Sequence, residues 1–244
     1  MDVPMAMRPE TRRSTILYST LPLKRLVTLL VLPPLLVLAA LLLLKGTVPE
    51  FAKIIGMANK VAGGWGVFLL AFGSGSQAWR PWRLAWRIPG VQQWLFPDLN
   101  GTWRGSTSSN WPSIKAMLDA YEGVADPRHA GALDLLPLKD DAIEMKITAS
   151  FFRLRVEAKL SATNAKSHSV SARVEWNEHL ERFELNYVYN QETPSPESTD
   201  EWLHPGAAHL VLDMDANRLD GEYWTRRTWR SGLNTAGLIS VVRK

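Results

Sequence analysis

The chain has 244 residues, 28 Lys+Arg against 24 Asp+Glu and 46% hydrophobic residues, which suits one or two domains. Residues 1–87 hold 11 basic and 3 acidic side chains, while residues 88–244 hold 17 and 21. The positive excess belongs to the first third, so a nucleic-acid-coating surface on the remainder is not expected, and DNA and RNA are not expected partners. Cysteine is absent, which excludes disulfide scaffolds, Cys-ligated zinc and Cys nucleophiles.

A cytosolic N-terminal segment, 1–25, precedes nineteen uncharged residues at 26–44, LVTLLVLPPLLVLAALLLL. At about 1.5 Å per residue this run spans a ~30 Å hydrocarbon core as a helix. Pro33 and Pro34 predict a kink. A cleaved signal peptide is the alternative, but the run exceeds the usual ~7–15-residue apolar core and no A-x-A site follows. Residues 45–60 read as a short external loop. A second, Gly- and Ser-rich span is expected at 61–79. Ala58, Ala62 and Gly66, then Ala71 and Gly75, place small residues at four-residue spacing, which lets helix backbones approach closely in lipid. That stripe suits either oligomerisation through the membrane or packing of the two spans on each other. A basic junction at 80–97 brings Trp82 and Trp86 beside Arg80, Arg83 and Arg87, with Trp79 just before it; this mix suits a lipid–water interface. Arg8, Arg12, Arg13, Lys24 and Arg25 before the first span and the three arginines after the second outnumber Lys45, Lys53 and Lys60 between them. The positive-inside rule then predicts a two-helix transmembrane hairpin with both termini cytoplasmic.

After Pro97 the pattern changes to period-two alternation. Strands are predicted at 99–107, 142–152, 154–160, 167–176, 182–189, 208–214, 218–228 and 238–243, with a short helix at 114–121 in an irregular 108–140 stretch and turns at 162–164, 194–200 and 215–217. About eight antiparallel strands without a long interrupting helix predict an all-β domain over 98–244, a small lipocalin-like closed β-barrel. Such a barrel is filled by side chains or holds one small ligand. Residues two apart share a face. Tyr223, Thr225 and Arg227 therefore point one way with Leu219 and Gly221. Leu185, Tyr187 and Tyr189 form a second face, Ser167, Ser169 and Ser171 a third, and Trp103 and Thr107 a fourth with Gly101 and Gly105. If these faces look inward, the interior suits an aromatic, anionic ligand. The alternative for Arg227 is an exposed ion pair with a carboxylate of a neighbouring strand.

No G-x-S-x-G, P-loop or Rossmann fingerprint is present, and the five histidines show no metal spacing; His204 and His209 lie five apart across a turn at Pro205-Gly206. Asp213, Asp215 and Asp220 lie around a turn, where carboxylates are usually solvated. No catalytic residue, metal site or cofactor is expected, and the chain reads as a non-enzyme.

Two spans, a basic Trp-rich junction and a barrel opening on Leu99-Asn100-Gly101-Thr102-Trp103-Arg104-Gly105 form a pattern that extends through Ser167-x-Ser-x-Ser, Leu185-x-Tyr187-x-Tyr189-Asn190 and Leu219-x-Gly221-x-Tyr223-x-Thr225-x-Arg227. Together they resemble the two-transmembrane, β-strand-rich (minimal β-barrel) membrane effectors of CBASS, the bacterial cyclic-oligonucleotide antiphage signalling systems. The resemblance implies a cyclic dinucleotide or oligonucleotide made by a cognate nucleotidyltransferase and bound in the cytosolic barrel. It further implies ligand-induced homo-oligomerisation in the lipid bilayer of the bacterial inner membrane, disruption of that membrane, and abortive-infection cell death. Stacking on aromatic rings and arginine–phosphate contacts fit such a ligand. The expected ligand contacts are Trp103, Thr107, Tyr187, Tyr189, Tyr223, Thr225 and Arg227. Two other readings remain at this point: a membrane-tethered lipocalin-like carrier of a small hydrophobic ligand, and a membrane-anchored scaffold with a filled barrel.

Overall fold

The computed structural model describes residues 23–45, 50–73, 84, 87–88, 90–94, 97–123, 136–149, 154–196 and 198–244. The chain divides into a helical unit and a β unit, the latter holding residues 100–148 and 154–244.

In the helical unit, α1 (Leu23–Lys45) runs through Pro33 and Pro34 as one element. Its Val27–Leu44 stretch is, among the described residues, the one helix long and apolar enough to cross a membrane, and none of it is buried. The second helix, α2 (Phe51–Gly73), begins ten residues before the expected span, so 51–60 are helical where a loop was predicted. Residues 61–73 of the expected span thus share their helix with a more polar first half. Glu50, just before that helix, pairs with Lys53 at 3.3 Å. α1 and α2 touch each other. Ala58 and Gly66 are half-buried and Ala62 is exposed. Ala71 lies within α2, whereas Gly75, the rest of the expected span to residue 79, and Arg80, Trp82, Arg83 and Trp86 lie outside the described residues.

The β unit has eight strands: β1 (Gly101–Ser109), β2 (Lys139–Ala149), β3 (Leu154–Leu160), β4 (Lys166–Asn177), β5 (Arg182–Glu192), β6 (Leu203–Asp213), β7 (Arg218–Thr225) and β8 (Ala236–Arg243). They close into a barrel in chain order. Closure comes from antiparallel pairing of β1 with β8, Trp103 opposite Arg243 through Ser109 opposite Gly237. The expected eight-stranded antiparallel barrel is present. A short helix, α3 (Trp111–Tyr121), follows β1 with Pro112 in its first turn, where the missing N–H costs nothing. It therefore starts three residues earlier than expected.

Two strand readings need correction. β6 begins at Leu203, five residues early, and includes Pro205 and Gly206, which the sequence presents as a turn. Pro205 sits near the strand start, beyond the β7 ladder, which ends with Gly206 opposite Thr225; a proline is tolerated at such a position. In β4 the three serines do not form one inward face. A register shift between Ser169 and Ser171 is a bulge that reverses the alternation. Val170 and Ser171 are exposed while Ala172 and Val174 are buried.

The barrel interior is packed at the end where β1 begins. Trp103, Met145, Ile147, Leu185, Leu210 and Leu219 are all fully buried. Trp103 lies there with the Arg243 guanidinium 5.9 Å from its ring centroid. Gly221 in β7 permits the close approach of β6: a Cβ at that position would stand 2.0 Å from the His209 carbonyl oxygen and 2.8 Å from Leu210 Cα. Gly221→Ala is therefore expected to destabilise the barrel by about 1–3 kcal/mol through forced strand displacement. Chemical denaturation of the full chain measures this; an unchanged midpoint would show that the two strands can part without cost.

Candidate functional site

The other end of the barrel is not filled. A cavity of about 460 Å³ opens there, within the size range of small-ligand sites. Six of the seven expected ligand residues line it: Thr107, Tyr187, Tyr189, Tyr223, Thr225 and Arg227. Trp103 does not. It belongs to the packed end, because it lies four positions before Thr107 in β1 and so further down the barrel. The cavity and the partly polar lining disfavour the filled-scaffold and hydrophobic-carrier readings.

Strand register arranges the aromatic wall. Tyr187 pairs with Ala208, and Ala208 with Tyr223, while Tyr189 pairs with Gly206, and Gly206 with Thr225. Two tyrosine-bearing strands thus flank a β6 that offers only small inward residues at these levels. Neighbouring strands lie about 4.8 Å apart, so Tyr187 and Tyr223 are held about 10 Å apart across the sheet. The Tyr187 and Tyr189 rings are tilted by 41° with centroids 5.6 Å apart. Gly206 makes room for Tyr189, whose ring would stand 2.4 Å from a Cβ at that position. Burial pushes all three phenols above their ordinary range, so they are neutral hydroxyl donors at pH 7. Thr225 Oγ1 lies 2.8 Å from Thr235 Oγ1, both buried, which fixes the wall between β7 and β8.

Arg227 lies just beyond β7 and is largely buried. Its Nε is 3.1 Å from Asp200 Oδ1, with side-chain exposures of 18% and 9%. The contact is ionic, since Nε has no hydrogen-bond acceptor in line. Its guanidinium also lies 4.7 Å from the Trp111 ring centroid, a cation–π distance. Arg227 thus lines the cavity and has a carboxylate partner, in a pair that is largely buried rather than exposed. That partner sits on the β5–β6 loop and lines the cavity too. Lys139 adds a second cation at the cavity, and Asp141 a second carboxylate. Asp141 is already engaged, accepting the Ala162 N–H at 3.0 Å.

Short tethers hold the rim. Asn110 Oδ1 accepts the Ala236 N–H at 3.0 Å and the Asn110 N–H returns to the Ala236 carbonyl at 3.0 Å. This clamp ties the start of α3 to β8 and sets Trp111 over Arg227. The Thr193 N–H donates to the Trp202 carbonyl at 2.9 Å, closing the loop that carries Asp200. Thr228 Oγ1 donates to the Thr199 carbonyl at 3.1 Å, joining that loop to the one after β7.

Sequence reasoning missed Trp111, Thr193, Asp200 and His204, all of which line the cavity. His204 is fully buried. The alternation His204, Gly206, Ala208, Leu210 is the signal that places it inward, and reading Pro205-Gly206 as a turn hid it. Among the described residues no group of His, Asp or Glu is arranged to hold a metal ion. Asp213 Oδ1 instead accepts the Asp215 and Ala216 N–H groups of its own turn, and Asp220 pairs with Arg218 at 2.6 Å.

Residues 137–243 match the model of the family described as Cap15, cyclic dinucleotide receptor domain. The chain is also similar to CD-NTase-associated protein 15 of Escherichia albertii, with 28% identity over 179 residues, covering 73% of this chain and 76% of that protein. Tyr187, Tyr189, Asp200, His204, Tyr223, Thr225 and Arg227 lie inside the family match, whereas Thr107 and Trp111 precede it. These two likenesses bear out the resemblance to the β-barrel effectors of CBASS that the sequence carries, and the family match spans β2 to β8 of the barrel.

Proposed function

We propose that this chain is a CBASS effector whose barrel binds a cyclic di- or oligonucleotide and whose helices convert that binding into disruption of the bacterial inner membrane. The observation that carries the reading is the cavity: an open barrel end walled by three tyrosines, with Arg227 and Lys139 at its polar side. Aromatic rings suit stacked bases, and the two cations suit phosphates, to which arginine donates in a planar fork. The match to a family described as a cyclic dinucleotide receptor domain supports the same ligand class. The role in this reading is binding, as the description of the matched family as a receptor domain supports.

The membrane part of the proposal has two spans, α1 and α2, with both termini cytoplasmic. It rests on the apolar Val27–Leu44 stretch and on the basic flanks. Assembly through α2 gains support at Gly66, where a Cβ would meet nothing within 4 Å. Among the described residues that leaves room at Gly66 for a helix of a second copy. Loss of membrane integrity and abortive infection follow from assembly in this reading.

Three measurements test it. Titration of the detergent-solubilised full chain with a panel of cyclic dinucleotides should give saturable binding. Arg227→Ala should weaken that binding by about 1.5–3 kcal/mol, the range for a charge-assisted hydrogen bond, and Tyr223→Ala should weaken it too. Wild-type affinity in a folded Arg227→Ala chain would move the site elsewhere. For topology, a cysteine at Ser198 should resist an impermeant thiol reagent added outside intact cells and react once the membrane is opened; labelling in sealed cells would defeat the orientation. For assembly, Gly66→Leu should leave insertion and ligand affinity unchanged while ligand-dependent crosslinking and dye leakage from proteoliposomes fall together. Persistence of both at normal protein levels would assign assembly to the barrel surface.

A further inference from the structure

One corner of the cavity does not suit a phosphate. Asp200 lines it with a carboxylate only 9% exposed, and a phosphate there would set like charges together in a poorly solvated space. Beside it stand polar atoms that have no hydrogen-bond partner: both ring nitrogens of His204, Thr193 Oγ1 and Arg227 Nε. His204 is 0% exposed and Thr193 2%, so bulk solvent does not pair them. His204 Nδ1 is 3.9 Å from Asp200 Oδ1, too long for a direct hydrogen bond. Buried polar groups in native proteins are normally paired, and several orphans on one wall of a cavity indicate that a ligand supplies the partners.

The chemistry of that corner is mixed. Burial holds the His204 pKa below its ordinary value, against the opposing pull of Asp200 and of the neighbouring Glu201 backbone, whose approach falls short of a well-formed hydrogen bond to either ring nitrogen. The imidazole is then neutral, with one donor and one acceptor nitrogen. Asp200 accepts only, Arg227 donates only, and the Thr193 hydroxyl does both. A phosphate only accepts, and an apolar group satisfies none of them. A nucleobase edge presents donors and acceptors side by side. Among the common bases, guanine has two adjacent N–H donors, N1–H and the N2 amine, next to the O6 acceptor. Adenine and cytosine offer one donor beside an acceptor, and the uracil N–H is flanked by two carbonyls that a carboxylate repels. Tyr189, whose ring lies over Gly206, the next inward residue after His204, supplies a face against which such a base can stack.

We propose that Asp200, His204 and Thr193 read the Watson–Crick edge of a guanine, with Arg227 holding Asp200 in place, so that the ligand of this barrel is a guanine-containing cyclic nucleotide. The proposal rests on the reading of the cavity as a cyclic nucleotide site. Asp200 and His204 act here as specificity-determining residues.

The test compares cyclic dinucleotides with two guanines, one guanine and one adenine, or two adenines, titrated into the full chain in detergent micelles. Guanine-containing ligands should bind about 10- to 100-fold more tightly than the adenine-only one, the discrimination expected of a good two-point contact to a base edge. Asp200→Asn keeps the shape and removes the charge; it should erase that preference, bringing the ratio of guanine-containing to adenine-only affinity within about 3-fold of unity. A second arm needs no mutation. Replacing guanine by hypoxanthine deletes only the N2 amine and should weaken binding to the wild-type chain about 10-fold; this arm decides the matter if Asp200→Asn does not fold. Equal affinity for guanine and hypoxanthine, absence of a guanine preference, or a uniform loss for all ligands in a folded Asp200→Asn chain each overturns the proposal while leaving cyclic nucleotide binding intact. Failure of every cyclic nucleotide to bind the wild-type chain overturns the underlying functional reading instead.

Discussion

The pairing of β1 with β8 gives this protein an interior. An open eight-stranded sheet would leave two edges with unpaired backbone groups and one apolar face to cover. Closure removes both edges and encloses a space that eight strands make just wide enough to fill. Where inward residues are large, as at Trp103, Met145 and Leu185, the space is full. Where they are small, as at Gly206, Ala208 and Thr225, a cavity remains. The same closure fixes the rim, because Asn110, one residue past β1, hydrogen-bonds to Ala236, the first residue of β8. Trp111 is thus placed over Arg227 by the bonds that finish the barrel.

Charge at the cavity follows from this geometry. A guanidinium only 18% exposed needs compensation, because removing a charge from water is costly unless a partner restores what is lost. Asp200 supplies a counter-charge and Trp111 an aromatic face. Neither closes the site. The carboxylate approaches Nε without a hydrogen bond, and the ring occupies one side of the guanidinium plane. The result is an arginine oriented and partly neutralised before any ligand arrives, which lowers the ordering cost of binding. The two loops that bring these charges together are joined through Thr228 and Thr199, so their relative position does not depend on the ligand alone.

Most of the barrel was legible because a two-residue period has few alternatives over seven or more residues. Strand β3 matches its predicted bounds, and the inward assignment of Tyr187, Tyr189, Tyr223 and Thr225 follows from counting by twos. Counting failed where the backbone departs from the pleat. The bulge in β4 shifts parity between Ser169 and Ser171, which no composition signal announces. At β6 a Pro-Gly pair, ordinarily a turn, is accommodated at a strand start. That misreading removed His204 from the candidate site. Asp200 and Trp111 were hidden for another reason: they lie on a loop and a short helix, where no period tells which side chain faces the cavity. Trp103 shows the converse limit, because alternation gives the correct face but not how far along the barrel a residue sits.

Depth along the barrel also bears on how occupancy of the cavity reaches the rest of the molecule. A ligand shifts an equilibrium only by its difference in affinity between the two states. Moving a population from 1:99 to 99:1 requires a difference of about 10⁴-fold. Contacts made wholly within one rigid barrel are the same in a lone chain and in an assembly, and they contribute nothing to that difference however strong they are. The packed end around Trp103 is of this kind. The rim is not. There the cavity lining is continuous with exposed surface: the loop bearing Asp200 ends at Trp202, 55% exposed, and the segment after Arg227 carries Trp229, 48% exposed, with Arg226 and Arg230 each 5.5 Å from its ring centroid. A ligand that contacts Asp200 while Arg227 holds that carboxylate acts on both loops at once, and through them on the exposed surface around Trp202 and Trp229. A receptor that had to report occupancy would gain nothing from burying its charged contacts at the bottom of the barrel. Here they stand at the one end where a change in pairing can be felt outside.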